Sequence, residues 1–151
     1  MNKGIMDLIT LGVYVLGVEN QKKINFMTAA WVTQISDNPT TILVAVGRNH
    51  YTAEMIQKAG KFSVNALTSI QKDVAEWCGF HSGRKVDKGA NLIYRKGTFG
   101  IPILEDSAGY LECELKQGIE YGDHVLFIAE VINGVAGKSV TMTYHEKDFF
   151  G

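Results

Sequence analysis

The sequence predicts a mainly β protein, a closed or partly closed β-barrel decorated with inserted helices. Three observations lead there. Runs of β-branched, aromatic and aliphatic residues recur along the chain, and three pairs of them are joined by short turns, as antiparallel neighbours are. One run, Thr41 to Val46, is almost continuously apolar, as in a strand buried on both faces. Two stretches switch to helical spacing between the runs. Parallel βαβ repeats would need a long crossover at each of the short turns.

Composition bounds the rest. The 151 residues, 46% hydrophobic and 21% charged, read as one globular domain spanning 1–151. A domain of this size buries roughly 70% of its unfolded surface. A net charge of -1 offers no electrostatic case for nucleic acid or an anionic membrane surface. The apolar stretch between Asp7 and Glu19 is too short to span a bilayer and no cleavage site follows it. Cys78 and Cys113 lack the paired spacing of a zinc or redox motif, so a reducing cytoplasm is the expected setting.

In chain order, Met1 to Ile9 is a short helix or extended arm, and Leu11 to Glu19 is a strand. Asn20 to Lys23 turns it back into a long strand from Ile24 to Ser36. Asp37-Asn38-Pro39 breaks that strand with turn residues before Thr41 to Val46. A helix over Thr52 to Ala59 carries Ala53, Ile56 and Ala59 on one side and stops at Gly60. Lys61 to Leu67 alternates with period 2 and reads as a strand, after which a second helix starts at Thr68 or Ser69 and runs to about Cys78. Gly79 to Gly100 is irregular, rich in glycine and in lysine and arginine. Ile101 to Leu104 resumes order. Tyr110 to Lys116 alternates, with Leu111, Cys113 and Leu115 on one face and Glu112 and Glu114 on the other. A loop from Gly118 to Asp123 joins it to a central strand, His124 to Ile132, and Val140 to Tyr144 adds a last strand before an exposed end.

Three stretches carry chemistry. In Gly47 to Thr52, Arg48 can grip a phosphate while Asn49 and Thr52 donate at the positive end of the next helix. A capped helix with a solvated arginine reads as well from this loop alone. In Cys78 to Lys88, Ser82, Arg84 and Lys88 supply a donor and two cations on a backbone loosened by Gly83; the plain alternative is a solvated basic loop. In Asn25 to Trp31, the small Thr28, Ala29 and Ala30 leave room for a flat ligand, where plain sheet packing around Trp31 is the alternative. Asn65, inside an apolar strand, needs a partner from backbone or ligand. The four histidines show no metal-ligand spacing, and no nucleophile elbow, carboxylate pair or dinucleotide fingerprint occurs. Chemistry here calls for a cofactor.

The order NFMTAAW (25–31), VGRNHYT (46–52), FSVNAL (62–67), CGFHSGR (78–84) with Asp87-Lys88, and GDHVLF (122–127) resembles the flavin reductase-like family. These are FMN-binding split-barrel proteins that include flavoredoxin and ferric reductase relatives. The resemblance covers nearly the whole chain. It implies a six-stranded Greek-key split barrel, a homodimer, and FMN near the dimer interface. Asn25, Thr28, Ala29 and Trp31, with Met27 and Ala30 between them, then match ring and ribityl neighbours. Asn49 and Thr52, beside Arg48, match phosphate and ribityl contacts. Asn65, Ala66 and Leu67 match a backbone edge that reads the ring. Ser82, Gly83, Arg84 and Lys88 match a phosphate clamp. His124 matches a histidine near flavin or nicotinamide. Ferric reductase relatives carry a cysteine where this chain has Ala45, Val46 and Gly47, which argues against metal reduction.

The implied activity is an NAD(P)H-dependent flavin oxidoreductase, with NADH or NADPH as reductant. Two other readings stand beside it: a flavoredoxin-like electron carrier serving a rubredoxin or iron–sulfur partner, and a flavin- or haem-binding module without turnover.

Overall fold

A computed structural model of the chain describes residues 4–150. After a 3-10 turn over Ile5–Leu8, strands β1 (Tyr14–Asn20) and β2 (Lys23–Ala29) form the first hairpin. Its turn residues Gln21 and Lys22 both take positive φ, the backbone that a tight two-residue hairpin turn requires. Strands β3 (Val32–Asp37) and β4 (Thr40–Gly47) form the second. Helix α1 (Tyr51–Ala59) follows, and Gly60 closes it at φ 74, its N–H returning to Ile56. Strand β5 (Lys61–Ala66), helix α2 (Lys72–Phe80), a 3-10 turn over Lys88–Asn91 and the small hairpin β6 (Tyr94–Lys96) and β7 (Pro102–Leu104) come next. The long strands β8 (Gly109–Tyr121) and β9 (His124–Ala136) and a short helix α3 (Glu146–Phe150) complete the chain.

One antiparallel sheet runs in the order β2-β1-β5-β8-β9-β4-β3. The expected single strand from Ile24 to Ser36 is in fact two, because β2 pairs with β1 while β3 pairs with β4 at the other edge. Between them Val32 N–H bonds back to Ala30 and Ala45 N–H bonds to Trp31. The two edges of the sheet are therefore consecutive in the chain, and that closes it into a barrel. Counting β2 and β3 as one bent strand leaves the six strands that the family resemblance implied.

Other boundaries moved too. The loop expected over Gly118 to Asp123 is mostly strand: pairing continues to Tyr121↔His124, so only Gly122 and Asp123 turn. The second helix starts at Lys72, not at Thr68 or Ser69, because Thr68 bridges Thr141 and Ser69 N–H bonds to Val140. Val140 to Tyr144 makes isolated bridges through Thr141 and Thr143, not a strand, and α3 follows it. Glu112, expected on the face opposite Cys113, is fully buried like Cys113 itself, since the register shifts beside Cys113 and the 97–100 turn packs on it; Phe99 N–H and Asn133 Nδ2 bond its carboxylate. The expectation for Met1 to Lys3 lies outside the described residues.

Inside the barrel, Leu16, Val44, Phe62 and Phe127 pack with Met55 and Ile56 of α1, which plugs one end. Complete burial of Ile56 alone contributes about 1.5–3 kcal/mol. A second cluster, with Val15, Phe26, Leu67, Ala75 and Cys78, seats α2 on the outside of β1 and β2. The two helices thus flank the end of β2 from opposite sides.

Candidate functional site

Two cavities open beside the end of β2, and they share Met27, His50, Gly79 and Phe80. The first, about 270 Å³, is mostly apolar. Met27 to Trp31, the β4 end Ala45 to Gly47, His124, and Ala75 and Phe80 of α2 line it, along with Tyr144, Phe149 and Phe150. The second, about 320 Å³, is polar, lined by Asn25, Asn49 to Thr52, Cys78 to Gly83 and Lys88.

Close backbone approaches build this arrangement. Thr28 Oγ1 donates to Ala75 O at 2.7 Å and ties β2 to α2. Gly79 passes Thr28 so closely that a Cβ there would lie 3.3 Å from the threonine Cβ. Gly83 passes Asn25 more closely still: its Cβ would stand 2.3 Å from Asn25 Oδ1. Small residues at both positions let α2 and its following loop lie on the sheet.

The buried polar groups decide what the second cavity can do. Asn25 is 1% exposed; its Nδ2 donates to Thr52 Oγ1 at 3.0 Å, while its Oδ1 has no hydrogen-bond partner. Buried acceptors are rarely left so. Lys88, 2% exposed, donates to Phe26 O and Cys78 O, each at 2.8 Å, which leaves one of its three protons. Desolvation holds its pKa below the ordinary lysine value. Helix α1 begins at this cavity with no side-chain cap; Ala53 N–H bonds back to His50 O, and the N–H groups of Tyr51 and Thr52 precede the helix's own ladder. An acceptor, a lysine proton and a helix N-terminus together suit a phosphate bearing a hydroxylated chain.

At the rim of the first cavity, the Trp31 and His124 rings stack with centroids 4.4 Å apart and planes at 25°. Asp123 Oδ1 lies 2.5 Å from His124 Nδ1, and this bond to the imidazole holds the Asp123 carboxyl below its usual range.

Of the residues singled out in the sequence, Met27, Thr28, Ala29, Ala30, Trp31 and His124 line the first cavity. Asn25, Asn49, Thr52, Ser82, Gly83 and Lys88 line the second. Five do not line either. Arg48 turns to Glu120, 3.7 Å away, and both side chains are exposed. Arg84 pairs with Glu54 at 2.6 Å and covers the Tyr51 ring at 4.5 Å, at the edge of the second cavity. Asn65, Ala66 and Leu67 are used up by the protein. Asn65 Nδ2 donates to Val15 O and Ser63 Oγ, and its Oδ1 accepts from Leu104 N–H. Ala66 O accepts from Ala108, Leu67 N–H donates to Val13 and Leu67 O accepts from Met142. The partner Asn65 needed is the protein itself.

Sequence reasoning gave no role to His50, Gly79, Phe80, Tyr144, Phe149 and Phe150. The paired phenylalanines at 149 and 150, in a tail expected to be exposed, were the available signal. Among the described residues, no group of three His, Cys, Asp or Glu side chains could hold a metal, and no helix is long and apolar enough to cross a membrane.

Comparison with known proteins bears on this site. The sequence matches the family described as flavin reductase like domain over residues 6–151. It is 30% identical to the high molecular weight rubredoxin of Moorella thermoacetica, covering 97% of this chain and 66% of that protein's length. It is 31% identical to the NADH-dependent FMN reductase AsuE2 of Streptomyces nodosus subsp. asukaensis, covering 83% of this chain and 69% of that one. The fold superposes on an FMN-binding protein from Thermus thermophilus with bound 1-cyclohex-2-enone at TM-score 0.91 and 30% identity, over 100% of this chain and 90% of the other.

Proposed function

The chain belongs to the flavin reductase-like domain family, and from that premise we propose that its two joined cavities hold one FMN and that NADH or NADPH reduces it. The observation that carries this reading is the pairing of an apolar, ring-sized cavity with a polar one in which a buried Asn25 Oδ1 lacks a donor. A flavin mononucleotide has one part for each.

The residues fit the group. Thr28, Ala29, Ala30 and Trp31 would wall the ring. The α1 N–H groups of Tyr51 and Thr52, Ser82 and the remaining proton of Lys88 would receive the phosphate, and Asn25 Oδ1 would accept from a ribityl hydroxyl. Arg84 would add a cation at the edge, shared with Glu54. Bound FMN supplies the electron-accepting and electron-donating ring. The chain supplies position, dryness and proton control. Asp123 accepts from Nδ1–H of His124, so Nε2 is the atom at which the neutral imidazole takes up a proton and the imidazolium returns one. Packing against Trp31 fixes that ring at the cavity rim.

A homodimer fits the surface. Trp31, Ile119 and Tyr121 are 53%, 39% and 77% exposed, and the last two lie on the strand paired with the start of β9, where His124 sits. Cys78 and Cys113 are free, buried thiols, in keeping with a single domain in a reducing cytoplasm. A second reading, electron transfer to a rubredoxin-type partner, draws on the Moorella relative, of whose length this chain spans less than two thirds.

The deciding experiment is an anaerobic titration of FMN-loaded protein with NADH and NADPH, followed by visible absorbance. Rapid bleaching by either is expected. Bound FMN that neither nucleotide bleaches would favour the electron-carrier reading, and protein that takes up no FMN would overturn both.

A further inference from the structure

We propose that helix α3 is a displaceable aromatic wall of the first cavity, and that Phe149 and Phe150 select the planar second substrate that reacts there. The inference rests on the reading that the FMN ring occupies this cavity.

Attachment separates α3 from the other walls. Strands β2 and β4 are held by sheet ladders, and α2 is tied through Ala75 O to Thr28. The chain before α3 is held by backbone bonds as far as Tyr144, whose N–H reaches Leu11 O. Beyond that residue the backbone bond found is local, Asp148 N–H to His145 O. What keeps α3 in place is side-chain contact, with Phe149 half-buried against the second core cluster. Phe150 meets Phe80 edge-on at 5.6 Å, Phe149 stacks on Tyr144 at 5.7 Å and 13°, and Lys72 Nζ stands 5.8 Å from the Phe149 ring. Phe150 is 67% exposed even so. Contacts of this kind lack the directional hydrogen bonds that would lock the segment.

Size gives the second argument. The cavity holds about 270 Å³. Small-molecule sites commonly run from about 300 to 1,000 Å³. One ring system takes up most of that volume, and electron transfer between two bound molecules brings their reacting rings together. A wall that gives way admits the second ring, and of the described walls α3 is the one held by neither a sheet ladder nor a hydrogen bond to the sheet. A planar aromatic or nicotinamide ring can take over the contacts that Phe149 and Phe150 give up, whereas an aliphatic substrate cannot. The tail therefore ranks substrates by flatness.

The test compares FMN-loaded wild type with the F149A/F150A double variant, with F150A alone as the milder control on a mostly exposed position. NAD⁺ and p-hydroxybenzaldehyde serve as non-reducing planar probes, with binding read from perturbation of the flavin spectrum. Removing a wall that closes the site most of the time should tighten both probes about fivefold or more, since apparent affinity scales with the open fraction. Probe binding is measured at saturating FMN, because Phe149 and Phe150 line the ring cavity and their removal is expected to weaken FMN as well. In wild-type protein carrying fluorophenylalanine, the Phe149 fluorine resonance should move toward its solvent-exposed position as NAD⁺ is added. Unchanged probe binding with an unmoved resonance would overturn the inference, as would a loss of FMN affinity without any gain in probe binding. Failure of the wild type to take up FMN would instead overturn the underlying reading.

Discussion

Gly83→Ala tests how the polar cavity is built. The added methyl would stand 2.3 Å from Asn25 Oδ1, 2.5 Å from its Cγ and 2.8 Å from its Nδ2. Asn25 has nowhere to retreat, being 1% exposed and bonded to Thr52 Oγ1 at 3.0 Å. Overpacking of this kind costs about 1–3 kcal/mol, and a broken Asn25–Thr52 bond adds about 1 kcal/mol. In urea, where m is about 1–3 kcal/mol/M for a small protein, the midpoint should fall by roughly 1 M. Displacing Asn25 also removes the acceptor offered to the ribityl chain, so FMN affinity should drop about tenfold, the worth of one ordinary hydrogen bond. A double-mutant cycle isolates the cause. On an Asn25→Ala background the alanine at 83 meets open space, so its penalty should largely vanish, giving a coupling of about 1–3 kcal/mol. If Gly83→Ala keeps wild-type stability and FMN affinity, or if its penalty persists on that background, the contact between loop and strand is not what shapes the cavity.

Lys88→Met should cost about 2–4 kcal/mol by orphaning Phe26 O and Cys78 O, measured by urea unfolding. The pH dependence has a definite sign: the folded pKa of Lys88 is lowered, so between that value and the unfolded one the unfolded chain binds more protons. Wild type should therefore gain stability over Lys88→Met as pH rises through that window, and a flat difference would contradict burial of the charge. Arg84→Ala should weaken FMN by less than about tenfold and change stability by under about 1 kcal/mol, because the exposed guanidinium is already shared with Glu54 and Tyr51. A loss of a hundredfold in a fluorescence titration would mean that Arg84 leaves Glu54 and commits to the phosphate.

Local chemistry made most of the barrel readable. The Asp37-Asn38-Pro39 turn, the buried run of β4 and the Gly60 stop are each written within a few neighbouring residues, and the structure has all three. The break at Ala30-Trp31 is not written locally. Neither residue is a turn former, and only the pairing of β2 and β3 with strands at opposite sheet edges divides them. Gly118 misled in the opposite way. It looks like the start of a turn, yet it pairs across to Phe127 inside a continuous ladder, and the positive φ of 57 belongs to Gly122. Period-2 alternation put Glu112 with Glu114 on the face opposite Cys113, yet a register shift and the packing of the 97–100 turn bury it.

The site was legible as motifs and less so as charges. Counting cations suggested that Arg48, Arg84 and Lys88 would attract a phosphate, but the fold engages each elsewhere: Arg48 with Glu120, Arg84 with Glu54, and Lys88 with two carbonyls inside the protein. What remains facing the polar cavity is a set of oriented dipoles with one lysine proton behind them. Such groups leave no mark on composition, because the N–H dipoles of a helix N-terminus, which would face the phosphate, and an amide oxygen, which would face a ribityl hydroxyl, carry no net charge. On the proposed reading, that is how a chain of net charge -1 would carry an anion site. It is also why Asn25, rather than any arginine, is the side chain that most needs a ligand's hydroxyl: burial has removed every alternative partner from its oxygen, whereas both arginines can fall back on a carboxylate in solvent.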